Sequence, residues 1–316
     1  MKIALLSDIH FPTLSQQKHN VFQYKNTIEN NFHVNRLMLL AEEVNKLNVD
    51  RVFILGDLLD TTNINLCTQR VLKDFVNSVT ATIYYLNGNH ERIDQNNYIL
   101  DYLDIGMRPL PKEFELYDTT FTALNHNQIH EATSHKSDIL LSHFRWTLPT
   151  FWGTKGELSK GDLVKVTNNY SDIILGDIHA EYQPEDNVTY INQPYSTKYL
   201  PVTPKGLLIL ELGDGYEIIR HHLSLPNKVL IDVKFEDLVA TLKTLHNRNL
   251  YKLRVHLKDT YIGDLPQIPS NVKLELKVIN NDVKEEQIVV NQDNLLDTIL
   301  SVLPNENKAY IKGLLC

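Results

Sequence analysis

The stretch KIALLSDIH, residues 2–10, runs from a short apolar segment directly into an aspartate and a histidine. Residues 3–6 are all apolar, and a short run of that kind is typical of a buried β-strand. Asp8 and His10 stand two residues apart, so their side chains point the same way from an extended strand end. The stretch therefore predicts a buried strand that delivers two polar side chains to one place.

Four later stretches repeat this arrangement, each with a short apolar run that leads straight into a polar cluster. The apolar runs lie at residues 51–55, 82–86, 139–141 and 172–175. The clusters are Gly56-Asp57-Leu58-Leu59-Asp60, Gly88-Asn89-His90-Glu91, Ser142-His143 and Gly176-Asp177-Ile178-His179. Helical periodicity at residues 37–47 and 71–79 separates the first three strands. Ligands of layered α/β folds bind where the C-terminal ends of strands converge, so the five clusters predict one shared site.

The side chains in these clusters are mainly carboxylates, imidazoles and an amide. That mixture suits borderline or hard divalent ions such as manganese, iron, magnesium or zinc. The glycines at 56, 88 and 176 let the backbone turn sharply as it leaves the sheet. A single Asp-x-His or Gly-Asp pair would carry no weight, but the ordered set predicts a centre for divalent metal ions.

The ordered set resembles the calcineurin-like metallophosphoesterase superfamily, whose pattern is D-x-H, G-D-x-x-D, G-N-H-[DE], a lone His and G-H-x-H. The resemblance covers about residues 1–225 and implies an α/β fold, an α+β sandwich of two packed mixed β-sheets flanked by helices. Within the superfamily the chain is most similar to SbcD-type DNA exonuclease subunits, including phage-type ones. Thr61-Thr62 after Asp60, in place of the Arg-Gly typical of protein phosphatases, and the long loop between Asp8 and Asp57 carry that closer likeness.

The resemblance implies two divalent metal ions per chain, Mn²⁺ first and Mg²⁺ as the alternative. The implied ligands are Asp8, His10 and His179 for one ion, Asp57 as the bridge, and Asn89, His143 and Asp177 for the other ion. His90 is implied as the catalytic residue beside the scissile phosphate. Asp60 is implied as the acceptor of a hydrogen bond from His90, which would fix the orientation of that imidazole. The implied reaction is attack on phosphorus by water activated between the two metals.

Asp177 departs from the superfamily pattern, which has histidine at this position. A carboxylate still binds a divalent ion, and as a harder ligand it favours magnesium or manganese over zinc. We therefore expect Asp177 to serve the second metal. The alternative is that Asp177 only caps a turn.

Three domains are expected. Residues 1–225 form the metallophosphoesterase (nuclease) domain, and consecutive strands predicted between residues 188 and 225 could close its second sheet. Residues 226–285 read as a small α+β capping domain. Residues 286–316 are predicted to form a helical pair that packs on the small domain or docks a partner.

Weaker substrate-binding candidates lie outside the motifs. Arg145 and Trp146 begin a segment of aromatic and basic residues, a combination that can stack bases and hold phosphates, although ordinary packing explains the tryptophan equally well. Tyr195 is a further candidate by resemblance. His126, outside the motifs, is expected in a loop or at the surface.

The composition sets broad limits on location and partners. The net charge of −8 argues weakly against a protein coated in nucleic acid, but bound cations can supply positive charge where phosphate sits. Two cysteines are too few for a disulfide framework, which favours a reducing compartment. No apolar run is long enough to cross a bilayer, so a cytoplasmic protein without membrane contact is expected.

The leading hypothesis is a metal-dependent DNA nuclease subunit, an exonuclease or endonuclease that acts in recombination, repair or end processing. The resemblance implies DNA, an SbcC-like coiled-coil ATPase and a second copy of the chain as partners. One alternative is a phosphodiesterase of small substrates, such as cyclic nucleotides. The other is a scaffold without catalysis that binds DNA or a partner.

Overall fold

The computed structural model describes residues 1–17, 20–24, 27–146, 158–201, 203–258, 266–279 and 287–289. The chain divides into two compact units. The first comprises Met1–Tyr195 and Pro204–Leu225, and the second comprises Ser196–Thr203 with the described residues from Pro226 onward. Of the predicted helical pair at 286–316, only residues 287–289 are described, and they form a strand; the rest lies outside the described residues.

Seventeen strands and four α-helices are found in the described ranges. The strands are β1 (Lys2–Leu6), β2 (Gln16–Gln17), β3 (Asn20–Tyr24), β4 (Arg51–Leu55), β5 (Thr82–Leu86), β6 (Arg108–Pro109), β7 (Glu113–Leu116), β8 (Thr119–Leu124), β9 (Ser137–His143), β10 (Tyr170–Gly176), β11 (Val188–Tyr190), β12 (Lys205–Gly213), β13 (Gly215–Leu223), β14 (Lys228–Lys234), β15 (Leu250–Lys258), β16 (Val272–Ile279) and β17 (Gln287–Val289). The helices are α1 (Ile28–Lys46), α2 (Leu66–Ser78), α3 (Lys160–Asn169) and α4 (Leu238–Thr244). None of these helices combines the length and apolar character that a membrane span requires.

The first sheet has six strands in the order β13-β12-β1-β4-β5-β6. Strands β1, β4, β5 and β6 run parallel, and β12 pairs antiparallel with β1. The expectation that the strands between residues 188 and 225 close a second sheet is therefore wrong for β12 and β13, which extend the first sheet. The side chains of β12 are buried almost without interruption, as an interior strand covered on both faces requires.

The second sheet has five strands in the order β11-β10-β9-β8-β7. Ile3 and Leu5 of the first sheet share a buried cluster with Ile139 and Leu141 of the second, so the main core lies between the two sheets. Helices α1 and α2 pack on the outer face of the first sheet, and α3 packs on the outer face of the second. The predicted α/β sandwich of two mixed sheets flanked by helices is confirmed.

The second unit is a small α+β module with its own core. Its sheet has the order β14-β15-β16-β17, in which the first three strands are parallel and β17 is antiparallel. Alternate residues of β15, among them Leu253 and Val255, are buried against apolar side chains of α4 and β16. This period of two is what a sheet with one covered face produces.

The loops that leave β1 and β4 run side by side. The N–H of His10 donates to the carbonyl oxygen of Asp57 at 2.9 Å, and the N–H of Phe11 donates to that of Leu58 at 2.8 Å. Asp8, His10 and Asp57 all have positive φ, between 46° and 56°, a conformation that residues other than glycine seldom adopt. Strained backbone of this kind persists only where the surrounding contacts hold it in place. Such residues cluster at functional sites.

A buried carboxylate ties the loop after β4 to the loop after β5. Glu91 accepts hydrogen bonds from the backbone N–H groups of Asp57 (2.9 Å), Leu59 (2.7 Å) and Gly88 (2.9 Å). Its side chain is completely buried. Glu91 therefore fixes the position of Asp57 without being able to reach a substrate.

The motif glycines at 88 and 176 leave room for functional side chains. A Cβ atom on Gly88 would collide with the carboxylate of Asp57, and one on Gly176 would collide with Ser7 and the ring of His143. Close approach of neighbouring groups therefore requires glycine here.

We expect Gly176→Ala to lower the free energy of unfolding by about 1–3 kcal/mol, because the new methyl group overpacks the space against Ser7 and His143. Gly213→Ala is the matched control, since a Cβ there has no neighbour within 4 Å. Urea denaturation of both variants checks this expectation. A tolerated Gly176→Ala would contradict the close-approach explanation.

We expect Glu91→Gln to cost about 1–3 kcal/mol of stability, because an amide NH₂ group would face one of three backbone donors and leave it buried without an acceptor. Glu131→Gln, which alters a partly exposed ion pair with Lys112, should change stability by less than about 1 kcal/mol. The measurement is again urea denaturation. Equal losses in the two variants would show that the three N–H contacts of Glu91 have no special weight.

Candidate metal centre

The C-terminal ends of β1, β4, β5, β9 and β10 bring the predicted polar clusters into one place. Three groups of potential metal ligands are found among the described residues, and within each group the ligand atoms all lie within 4.8 Å of one another. The groups are Asp8 with His10 and His179, His10 with Asp60 and His90, and Asp8 with Asp57 and His143. Shared members make them one continuous centre.

The first group converges on one carboxylate oxygen. The Nε2 atoms of His10 and His179 lie 2.9 Å apart, and they lie 3.8 Å and 3.3 Å from Oδ1 of Asp8. This oxygen is buried and accepts no hydrogen bond from the described part of the chain. A buried acceptor facing two imidazole nitrogens is what a divalent cation would satisfy, so these residues fit a metal ion.

The last of the three groups, Asp8 with Asp57 and His143, forms the second candidate cation site (the second group), which is organised by a backbone carbonyl. Nδ1 of His143 lies 2.7 Å from the carbonyl oxygen of Leu55, so the ring donates there and its Nε2 atom faces the site. That Nε2 atom lies 3.1 Å from Oδ1 of Asn89 and 3.3 Å from Oδ2 of Asp57. His143 is completely buried, and three potential ligand atoms meet where a second cation fits.

Asp57 lies between the two groups. Its Oδ2 atom is 3.5 Å from Nε2 of His10 and 3.3 Å from Nε2 of His143. Its Oδ1 atom accepts a hydrogen bond from the backbone N–H of His90 at 3.0 Å. A carboxylate in this position can contact a cation on either side, as the bridging role predicted from the resemblance requires.

The charges of the centre favour cations. Burial opposes the charged form of His10, yet the carboxylates of Asp60 and Asp8 raise the pKa of its imidazole to about 9. Burial likewise opposes the charged form of His143, but Asp57 holds the pKa of that ring well above its ordinary value. The imidazoles thus carry protons that balance buried carboxylates. A divalent cation would displace these protons and take over the balance.

His90 is the accessible member of the centre, with 38% of its side chain exposed. Its Nδ1 atom lies 2.9 Å from the backbone carbonyl oxygen of Asp60, whereas the Asp60 carboxylate is 3.7 Å away. That carboxylate lies closer to Nδ1 of His10, at 3.3 Å. The orientation of His90 therefore depends on the main chain of Asp60 rather than on the predicted carboxylate.

Asp177 differs from its expected placement, because it belongs to none of the three groups. Its Oδ2 atom accepts a hydrogen bond from Nε of Arg145 at 2.9 Å. Its backbone N–H donates to Oδ2 of Asp8 at 3.2 Å. The residue stands at the centre, but its carboxylate is held by an arginine.

The remaining substrate-binding candidates have different positions. Arg145 stands at the centre through its contact with Asp177. Trp146 is 4% exposed and packs with Phe144, and Tyr195 is completely buried under the guanidinium group of Arg36. Neither ring offers surface to a substrate. The rest of the aromatic segment, residues 147–157, lies outside the described residues.

Two residues at the centre were not predicted from the sequence to lie there. Nδ1 of His126 lies 3.1 Å from the carbonyl oxygen of His143, which places His126 beside the second group. The sequence could have indicated this placement, because His126 comes just after β8, another strand that ends at this edge of the sheet. The three backbone contacts of Glu91 had no signal in the sequence, since Glu91 reads there only as the last letter of a motif.

Comparison with known proteins identifies a family. The family profile described as calcineurin-like phosphoesterase matches residues 1–171. No match is found among curated proteins.

A comparison with solved structures also finds matches. A dimetal phosphatase from Danio rerio shares 11% identity, with 71% of this chain and 99% of that chain covered and a TM-score of 0.43. A hypothetical protein from Pyrococcus horikoshii OT3 shares 8% identity over 78% of this chain and 95% of that chain, with a TM-score of 0.40. A protein of unknown function from Aquifex aeolicus shares 15% identity over 60% and 88%, with a TM-score of 0.31.

The family match spans more than half of the 316 residues and includes four of the five strands that end at the centre. Enzymes of this family are metal-dependent, and the three ligand groups give this chain the means to hold divalent cations. The protein belongs to the calcineurin-like phosphoesterases.

Proposed function

We propose that this protein is an SbcD-like DNA nuclease that hydrolyses phosphodiester bonds with two divalent cations. The observation that carries the hydrolytic part is the position of Asp57 between two ligand groups, with an exposed imidazole beside it. The choice of DNA rests on the resemblance of the motifs and on the charged sheet of the second unit.

The chain's own residues would divide the work of holding the cations. Asp8, His10 and His179 would hold one cation, Asn89 and His143 the other, and Asp57 would contact both. Bound cations, manganese before magnesium, would supply Lewis acidity toward the phosphate and lower the pKa of a water molecule. His143 is fixed in advance by its hydrogen bond to the carbonyl oxygen of Leu55, and Asp57 by the backbone N–H of His90, which limits the reorganisation needed on binding.

His90 would act on the leaving group. Its Nδ1 atom faces the carbonyl oxygen of Asp60 and donates there, which leaves Nε2 turned toward the centre, 4.0 Å from Oδ2 of Asp57. In its doubly protonated form, an imidazole held in this way carries a proton on Nε2 that it can give to the leaving oxygen, or whose charge can stabilise the developing negative charge. With 38% of its side chain exposed, His90 can meet a substrate that approaches from solvent.

The sheet of the second unit supports a polyanionic substrate. One face of it is apolar and buried, and the other carries charged side chains at alternate positions. They are Lys228, Asp232 and Lys234 on β14, Lys252, Arg254 and His256 on β15, and Lys273, Glu275 and Lys277 on β16. Six lysines and arginines against two acidic residues leave this face positive in a chain of net charge −8. A positive face suits a phosphate backbone.

The proposal also includes a coiled-coil ATPase of SbcC type as partner and a homodimer as the working form. Both rest on the resemblance alone. A nuclease of this kind would serve recombination, repair or the processing of DNA ends.

We expect the purified protein to cleave end-labelled linear DNA in manganese and to lose that activity in chelator. His90→Ala should lower the rate by about 10²–10⁴-fold, the usual contribution of a general acid, while its metal content stays unchanged. The measurements are product analysis on gels and metal analysis of the dialysed protein. His130→Ala, at an exposed position away from the centre, is the matched control.

Other results would redirect the proposal. An intact DNA substrate alongside rapid hydrolysis of a chromogenic phosphodiester would favour a small substrate. Loss of metal together with activity in His90→Ala would show that this imidazole is a ligand.

We expect Asp57→Asn to weaken binding of both cations, because the central carboxylate charge is lost while Oδ1 can still accept the hydrogen bond from His90. Manganese titration followed by electron paramagnetic resonance of the free ion measures this loss. Asp104→Asn removes an exposed carboxylate elsewhere and should leave the titration unchanged. Loss of only one cation in Asp57→Asn would contradict the bridging role.

A further inference from the structure

An arginine and an aspartate face each other at the ends of the neighbouring strands β9 and β10. Gly176 pairs with His143 in the parallel ladder; Asp177 follows Gly176 directly, and Arg145 comes two residues after His143. Nε of Arg145 donates to Oδ2 of Asp177 at 2.9 Å. The side chain of Asp177 is 10% exposed and that of Arg145 is 34% exposed, so water screens this ion pair less than a fully exposed pair.

The backbone fixes Asp177 at this position. Its φ of 92° lies in the left-handed region that favours glycine, and its N–H donates to Oδ2 of Asp8. The main chain is thus tied to a predicted ligand of the first cation, while the carboxylate is tied to Arg145. A residue held at both ends has few orientations open to it.

Asp177 belongs to none of the three groups of ligand atoms. The superfamily pattern supplies a histidine at position 177, and a neutral imidazole there would be free to join Asp57, Asn89 and His143. In this chain the position carries a carboxylate whose charge is already balanced. A guanidinium group stays protonated at any working pH, so that balance is permanent unless the two side chains separate.

We propose that Arg145 is a positioning residue that withholds Asp177 from the second cation, so that the chain binds its two cations with unequal affinity. The inference rests on the two-cation centre of the proposed function. The cation beside His143 would have Asp57 and Asn89 as its other protein ligands, with Asp8 within reach but shared with the other cation, and would stand near the charge of Arg145. The cation beside His10 has Asp8, Asp57 and His179, and is the tighter of the two.

The test is manganese binding to the full chain, measured by electron paramagnetic resonance of free Mn²⁺ and by calorimetry. We expect two classes of site in the unmodified protein. Arg145→Met keeps an unbranched side chain, removes the charge and should tighten the weaker site about tenfold, leaving the tighter site unchanged. Asp177→His should tighten the same site by restoring a neutral ligand.

The control is an arginine away from the centre, and Asp177→His serves as the second variant. Arg220→Met removes a comparable arginine–carboxylate pair, with Glu181 at 3.2 Å, and should alter neither site. Circular dichroism establishes that each variant is folded. If Arg145→Met failed to fold, the result with Asp177→His would decide alone.

The outcomes separate this inference from the proposed function. Two equal sites in the unmodified protein, or a weaker site that stays unchanged or loosens in both Arg145→Met and Asp177→His, would overturn the role of Arg145 and leave the two-cation centre standing. Absence of manganese binding in the unmodified protein would overturn both.

Discussion

The buried carboxylate of Glu91 is the interaction on which the centre depends most. It accepts three backbone hydrogen bonds from the loops that follow β4 and β5, and these loops carry Asp57, Asn89 and His90. Removing a charged group from water is costly unless donors replace the lost hydration, and here the donors come from the chain's own main chain. Burial and the nearby charge of Asp57 raise the pKa of Glu91 to about 7.

The strained residues follow from the same construction. Asp8, His10, Asp57 and Asp177 all have positive φ, and all four lie within four residues of the end of a strand whose apolar side chains fill the core between or beside the sheets. Strain of order 1–3 kcal/mol at each such residue persists only where the surroundings leave no alternative. The sandwich supplies that constraint, because the buried side chains of the strands fix the points from which the loops leave.

Much of the centre was predictable because ligand and strand are adjacent in sequence. The five apolar runs ending in Asp, Asn or His identified the correct strands and the correct edge of the sandwich. Sheet order was less accessible, since local periodicity cannot tell whether β12 joins β1 or the second sheet. The Arg145–Asp177 contact and the use of the Asp60 carbonyl oxygen by His90 depend on register between strands and on side-chain rotation, which no single stretch encodes.

Gly88 and Gly176 have no side chain with which to hold an ion, yet each occupies a space in which a methyl group would collide with a side chain of the centre. In a saturation scan scored by activity, these two positions would therefore tolerate as few replacements as Asp57 or His143. Sensitivity to replacement measures how closely a position is crowded by the reacting groups as well as whether it takes part in the reaction. A map of the positions that do not tolerate replacement would therefore show the residues packed tightly around the centre as well as the residues of the centre itself.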